Sequence, residues 1–151
     1  MKHTATCLWF STDADNAVRF YSTVFPDLSV GDVSHGPDGS ALVVEFTLRG
    51  QRFLALNGGP TYTLSPAVSI YVPCPDQAEV DRLWAALSDG GTELSCGWLT
   101  DTYGLSWQIV PEELPALLTD PDPARAERAR QAMMPMRKLD IAVIRDAAAR
   151  T

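Results

Sequence analysis

The sequence predicts an α+β fold: two βαβββ repeats forming curved mixed sheets around a cavity, with C-terminal helices. Three observations carry this prediction. Asp13-x5-Arg19-Phe20-Tyr21 returns as Asp76-x5-Arg82-Leu83-Trp84 at an offset of 63 (76 − 13). Gly50-Gln51-Arg52-Phe53-Leu54-Ala55-Leu56 returns as Gly104-Leu105-Ser106-Trp107-Gln108-Ile109-Val110 at an offset of 54 (104 − 50). Around these matches the order of strand, helix, strands and hairpin occurs twice, the signature of an internal repeat. The offsets differ by 63 − 54 = 9, which predicts one additional strand and turn in the first repeat, around Leu28 to Gly39. Two such units bury one side of each sheet and leave concave sides to enclose the cavity.

The elements follow in order. Thr4 to Phe10 is a short apolar run that reads as a strand. Ser11-Thr12-Asp13 caps a helix in which Ala14, Ala17, Val18, Phe20, Tyr21, Val24 and Phe25 recur at helical spacing, and Pro26 stops it. Ser40 to Leu48 and Gln51 to Asn57 are β-rich and turn at Arg49-Gly50, a hairpin. Gly58-Gly59-Pro60 opens a loop to about Pro66, and Ala67 to Val72 is the next strand. Asp76 to Leu87 is amphipathic, with Val80, Leu83, Trp84 and Leu87 on one face, and ends at Gly90-Gly91. Cys96 to Thr100 and Leu105 to Val110 make a second hairpin, because Asp101-Thr102-Tyr103-Gly104 has Asp first and Gly fourth in the turn. After Pro111 the chain is helical and punctuated by prolines, with a helix start at Asp120-Pro121-Asp122-Pro123. This divides the chain into a paired-repeat domain over 1–111, with repeats at about 4–57 and 67–111, and a helical extension over 112–151.

Charge and cysteine usage narrow the function. The formal net charge is −7, so no overall basic field exists to displace counterions from nucleic acid. Five of the twelve Lys and Arg lie between Arg125 and Lys138, a solvated helix face rather than an anion-binding patch. Cys7, Cys74 and Cys96 are widely spaced without a C-x-x-C pair, which reads as reduced thiols in a cytoplasmic protein. The N-terminus lacks a signal peptide's apolar run, and no window approaches the ~18 apolar residues of a membrane span.

The segments CLWFSTDADNAVRFYSTVFPDLSV, VEFTLRGQRFLALNGGP, CGWLTDTYGLSWQIVP and DPDPARAERARQAM closely resemble the PhnB-like branch of the vicinal oxygen chelate superfamily, the glyoxalase, bleomycin-resistance and extradiol-dioxygenase fold. The resemblance runs from about Thr4 to Ile144. It implies a small-molecule ligand and a homodimer. The branch is often labelled a 3-demethylubiquinone 3-methyltransferase domain, but a doubly wound methyltransferase needs a strand and a Gly-rich turn into a helix. Here Gly58-Gly59 runs into Pro60 and Gly90-Gly91 into a strand, so methyl transfer is rejected.

Metal-using members of the superfamily hold a divalent ion with His, Glu or Gln from equivalent strands of both repeats. The resemblance puts the matching positions near Thr6, Ala67 or Val68, Leu54 and Gln108, of which only Gln108 can coordinate well. His3 would need a register shift to reach the first position, and His35 sits in the turn-like SHGPDG. The expected metal set and cofactor set are therefore both empty.

Without a metal, Glu45 is the candidate acid–base group. It interrupts an apolar strand and shares its face with Ala41, Val43 and Thr47, although pairing with Arg52 across the hairpin is the competing role. Gln108 offers a donor and an acceptor to a ligand, or else a hydrogen bond to core backbone. Asn57 caps the Gly-Gly-Pro turn or faces a pocket mouth. Trp98, Trp107, Trp9, Phe53 and Tyr62 supply flat apolar surface, for the core or for a ligand. Cys7 and Cys96 read as inert buried thiols. The function expected is a small-molecule-binding protein or metal-independent enzyme. Its alternatives are a sequestering dimer that traps a planar or cationic ligand, and a metal-dependent isomerase, lyase or dioxygenase.

Overall fold

The computed structural model describes residues 4–150. The chain forms two compact units, residues 1–65 and 66–151, each built on a four-stranded mixed sheet that does not close on itself.

The first unit runs β1 (Thr6–Phe10), α1 (Ala14–Val24), β2 (Ser29–His35), β3 (Ala41–Leu48) and β4 (Gln51–Asn57), with sheet order β1-β4-β3-β2. β1 lies parallel to β4, and the other pairings are antiparallel. The period of two sorts the side chains: Leu8, Phe10, Val44, Phe46, Phe53 and Ala55 are buried, and they share the sheet face that meets α1. From the helix, Ala14, Ala17, Val18, Tyr21 and Val24 close the core. Phe46 and Phe53, directly opposite in register, stack with centroids 4.9 Å apart. Arg49 and Gly50 both have positive φ (48° and 81°), which gives the two-residue turn the backbone twist a tight hairpin needs.

The second unit runs β5 (Ser69–Cys74), α2 (Gln77–Ser88), β6 (Thr92–Glu93), β7 (Trp98–Thr100) and β8 (Ser106–Pro111), with sheet order β5-β8-β7-β6. It repeats the first: the initial strand is parallel to the last, and the helix covers one face with Val80, Leu83, Trp84 and Leu87. Three short helices follow, α3 (Leu114–Leu118), α4 (Pro123–Met133) and α5 (Ile141–Ala149). Their apolar sides form a second core in this unit, in which Val110, Leu114, Ala129, Leu139, Ile141 and Ile144 are buried. Of the basic run expected to be a solvated face, Arg125, Arg130, Arg137 and Lys138 are paired to Asp120, Glu127, Glu93 and Asp81, whereas Arg128 is partly buried and donates through Nη2 to Ala148 O at 3.1 Å.

Several expectations need correction. The nine-residue difference in offset is not an extra strand, because both sheets have four strands. β2 is seven residues long and its counterpart β6 only two. The fifth strand starts at Ser69 rather than Ala67, and β7 starts at Trp98, since Cys96 (φ 58°) and Gly97 (φ 82°) are in the left-handed region and cannot extend a strand. His35 is the last residue of β2, paired with Ala41, and the turn begins after it. The helix start at Asp122-Pro123 is as expected, with the Asp122 carboxylate accepting from the Ala124 amide at 2.9 Å.

Candidate functional site

Each sheet has one face packed on its helix and one that is not. In the second unit the register sets Tyr71 opposite Gln108 and Gln108 opposite Trp98, a row across three strands. Neighbours in register share a face, and Gln108 alternates with the buried Trp107 and Ile109 that point to the α2 side. The row therefore lies on the face away from α2. Gln108 donates through Nε2 to Ser69 Oγ at 2.8 Å, a side-chain partner rather than core backbone. One of the two Nε2 hydrogens is engaged, which leaves the amide its carbonyl oxygen as acceptor and its second N–H as donor. Tyr71 is 47% exposed, and partial burial pushes its phenol above the ordinary value, with a smaller contribution from Cys74. It is thus a neutral donor and acceptor at pH 7.

This row floors a cleft of about 400 Å³. α3 and the residue after it supply one wall, with Leu114, Pro115, Leu118 and Thr119. Cys96, Val110 and Met133 complete the lining, which contains no Asp, Glu, Lys, Arg or His. The C-terminal segment is tied to this sheet by backbone bonds from Cys96 N to Met136 O (2.8 Å) and from Gly97 N to Arg137 O (2.7 Å). Gly97 has no room for a side chain, since a Cβ there would lie 2.8 Å from Leu139 Cδ1. Gln77 adds a two-sided clasp, donating to Leu139 O at 2.9 Å and accepting from Ile141 N at 3.0 Å.

In the first unit the equivalent row is Cys7, Leu54 and Glu45. Glu45 stands on the face away from α1, and its Oε1 accepts from Arg52 Nη2 at 3.0 Å, the cross-hairpin pairing that competed with an acid–base role. Trp9 is on the same side, with its indole N–H donated to Gly59 O at 2.9 Å and its ring edge-on to Tyr62 at 5.0 Å. Gly58 is glycine for contact reasons: a Cβ there would sit 2.3 Å from the Trp9 ring. Asn57 lines a surface cleft with Ser11, Asn16 and Gly59, and it also serves as a helix cap. Its Oδ1 accepts from the Ala14 amide at 2.8 Å, so it caps α1 across the unit, while Nδ2 donates to Ala41 O at 3.0 Å. Phe53 and Trp107 are buried in the helix-packed cores, at 2% and 0% exposure.

The structure thus gathers Gln108 and Trp98 and puts Trp107 on the other side of their sheet, while Phe53 lies on the helix-packed side of the first sheet. Tyr71, Ser69 and Leu118 had not been singled out by sequence. The signal for Tyr71 was the parallel β5–β8 pairing, which only register reveals. The same register corrects the first-strand position: Thr6 pairs with Phe53, so Cys7 stands opposite Leu54. On the fifth strand Tyr71 replaces Ala67 or Val68, which precede β5. Cys7 is exposed and Cys96 half-buried, so neither is a buried thiol. The reason is that Cys7 lies on the open face and Cys96 in the turn ahead of β7.

The residues that register sets at the four positions do not make an all-donor set: Cys7, Tyr71 and Gln108 carry donor atoms and Leu54 does not, and among the described residues no group of three or more His, Cys, Asp or Glu side chains converges. His3 lies outside the described residues. A nucleotide-type methyl donor does not fit, because β1 enters α1 through Ser11-Thr12-Asp13 and β5 enters α2 through Pro75-Asp76, without a glycine in either turn. Among the described residues no helix is long and apolar enough to cross a membrane.

Comparison with known proteins agrees with this architecture. Among curated proteins no significant sequence match is found. Among solved structures, a PhnB protein from Bacillus cereus is 29% identical, with a TM-score of 0.67, over 73% of this chain and 99% of that one. Protein PA1353 from Pseudomonas aeruginosa has the same fold at 17% identity and a TM-score of 0.63, over 74% of this chain and 98% of that one. A glyoxalase candidate from Bacillus cereus shares the fold at 14% identity and a TM-score of 0.51, over 70% of this chain and 96% of that one. The family model described as 3-demethylubiquinone-9 3-methyltransferase matches residues 2–110. With both βαβββ units inside that match, the chain belongs to this family, the PhnB-like branch of the vicinal oxygen chelate superfamily with its glyoxalase and bleomycin-resistance fold.

Proposed function

We propose that this chain binds a small organic molecule on the open face of its second sheet, without a resident metal, using Gln108 as the polar anchor and Trp98 as the flat wall. The row of Tyr71, Gln108 and Trp98 opening onto an apolar cleft of about 400 Å³ carries the reading. Small-molecule sites combine this size with a few polar groups on an apolar lining. In the same proposal Glu45, held by Arg52 on the open face of the first sheet, is the candidate acid–base group of that sheet. The chain works as a homodimer, which sedimentation of the full chain checks.

The test is an equilibrium titration of the full chain with a panel of small aromatic molecules, followed by tryptophan fluorescence. Saturable binding that Gln108→Leu weakens about tenfold supports the site, the loss expected for one buried hydrogen bond. No binding by any member of the panel, or binding indifferent to Gln108→Leu, overturns it. Turnover of a bound ligand that Glu45→Gln leaves unchanged removes Glu45 from the proposal.

A further inference from the structure

The family match ends at residue 110, yet half of the cleft comes from beyond it: Leu114, Pro115, Leu118, Thr119 and Met133 belong to α3, α4 and the link between them. These helices are held onto the sheet by the Cys96–Met136 and Gly97–Arg137 backbone bonds and by the Gln77 clasp. Val110, two residues after Gln108 and on its face of β8, is 5% exposed within the C-terminal core. The extension therefore covers one end of the open face and leaves the Gln108 row as the floor beside it. We infer that α3 and α4 are the specificity element of this cleft, making it selective for an uncharged planar apolar molecule that carries one hydrogen-bonding group.

The chemistry of the lining supports each part of that description. No ionisable carboxylate, ammonium, guanidinium or imidazole lines the cleft, so a charged ligand would leave water without a counter-charge. Gln108 gives one of its two Nε2 hydrogens to Ser69 and keeps its carbonyl oxygen and a second N–H, so it calls for a neutral hydrogen-bonding group on the ligand. The Trp98 indole on the floor and Leu114, Leu118 and Met133 on the walls suit a flat apolar body.

This inference rests on the proposed binding function, and the experiment separates the two. The probes are 2-naphthol, 2-naphthoate and 2-naphthylmethylammonium at neutral pH: the same two rings bearing a neutral donor, an anion and a cation. They are titrated into the full-length wild type and into Leu118→Trp, Met133→Trp and Gln108→Leu, each first checked for an unchanged far-ultraviolet spectrum and melting transition. Leu118 and Met133 are on different helices and partly exposed, so misfolding of one variant leaves the other to decide. The expected result is that 2-naphthol binds at least tenfold more tightly than either charged analogue, and that filling the α3 or α4 wall weakens it at least tenfold. If 2-naphthol binding depends on Gln108 but is unmoved by Leu118→Trp and Met133→Trp, or is matched by the charged analogues, the role of the extension is overturned while the binding site stands. If no naphthyl probe binds, or none depends on Gln108, both proposals fall.

Discussion

Asp101 is 3% exposed, and its carboxylate is fully used: Oδ1 accepts from the Tyr103 and Leu105 amides at 2.8 and 3.1 Å, and Oδ2 from the Trp107 indole at 2.8 Å. A buried carboxylate is tolerable only when donors replace its water, and here they also set the turn and the core indole. Replacing Asp101 with Ala is expected to cost about 2–3 kcal/mol, since it orphans donors that a charged acceptor satisfied. Asp101→Asn should recover only part of this, because its amide N–H₂ would oppose the Trp107 N–H. Urea denaturation measures both. Gly58→Ala should cost about 1–3 kcal/mol by overpacking, because the Trp9 ring that the new methyl would strike is held by its bond to Gly59. An unchanged melting transition in Gly58→Ala would show that the ring gives way freely.

The two repeat helices are capped by different means, and this decides which was legible. α2 carries its own cap, with the Asp76 side chain accepting from Glu79 N at 2.9 Å, as an Asp ahead of a periodic segment predicts. In α1 the equivalent Asp13 makes no such bond, and Asn57, forty-three residues along, serves the Ala14 amide instead. Asn57→Ala is therefore expected to destabilise by about 1–2 kcal/mol, while Asp13→Ala stays near neutral. Equal losses in chemical denaturation would refute this assignment of the cap. The order of elements along the chain, the two repeat helices and both hairpin turns were readable because apolar period and turn residues are local. The shrinkage of β6 to Thr92–Glu93 was not, because an offset counts residues without saying which of them pair.

Across the second unit, ion pairs fasten the C-terminal extension within itself and to α2. Glu113, ahead of α3, meets Arg145 in α5 with Nε to Oε1 at 2.8 Å, and Asp81 in α2 meets Lys138 at 2.7 Å. The Arg145 bonds hold the Glu113 carboxyl below its ordinary value of 4.5, and the Lys138 bond does the same for Asp81 from 3.8. A carboxylate whose pKa is lowered by folding contributes stability above its unfolded value, and that contribution is lost as the pH falls through the folded value. These side chains are largely exposed, so water screens each pair and each contribution is small. The expected outcome is that acidification below about pH 4.5 loosens the helices after residue 112 before the first unit. Hydrogen exchange at pH 3.5 and pH 7, corrected for intrinsic rates, reads this directly. Uniform loss of protection in both units would contradict it. If the cleft depends on these helices, 2-naphthol binding should weaken over the same pH range.

The order of elements, the doubled βαβββ plan, the absence of a glycine-rich nucleotide turn and most of the solvated basic face were all present in the amino-acid string. They depend on spacing along the chain, which one-dimensional periodicity preserves. Gln108 was also visible, as an amide in an otherwise apolar strand, and so was the Glu45–Arg52 alternative, because hairpin partners are close in sequence. Tyr71 as the neighbour of Gln108, Cys7 in place of Thr6, the cap from Asn57 and the wall from Leu118 were not visible. Each depends on a parallel strand register or a long-range packing choice, and a shift of one residue in register moves every side chain of a strand to the other face.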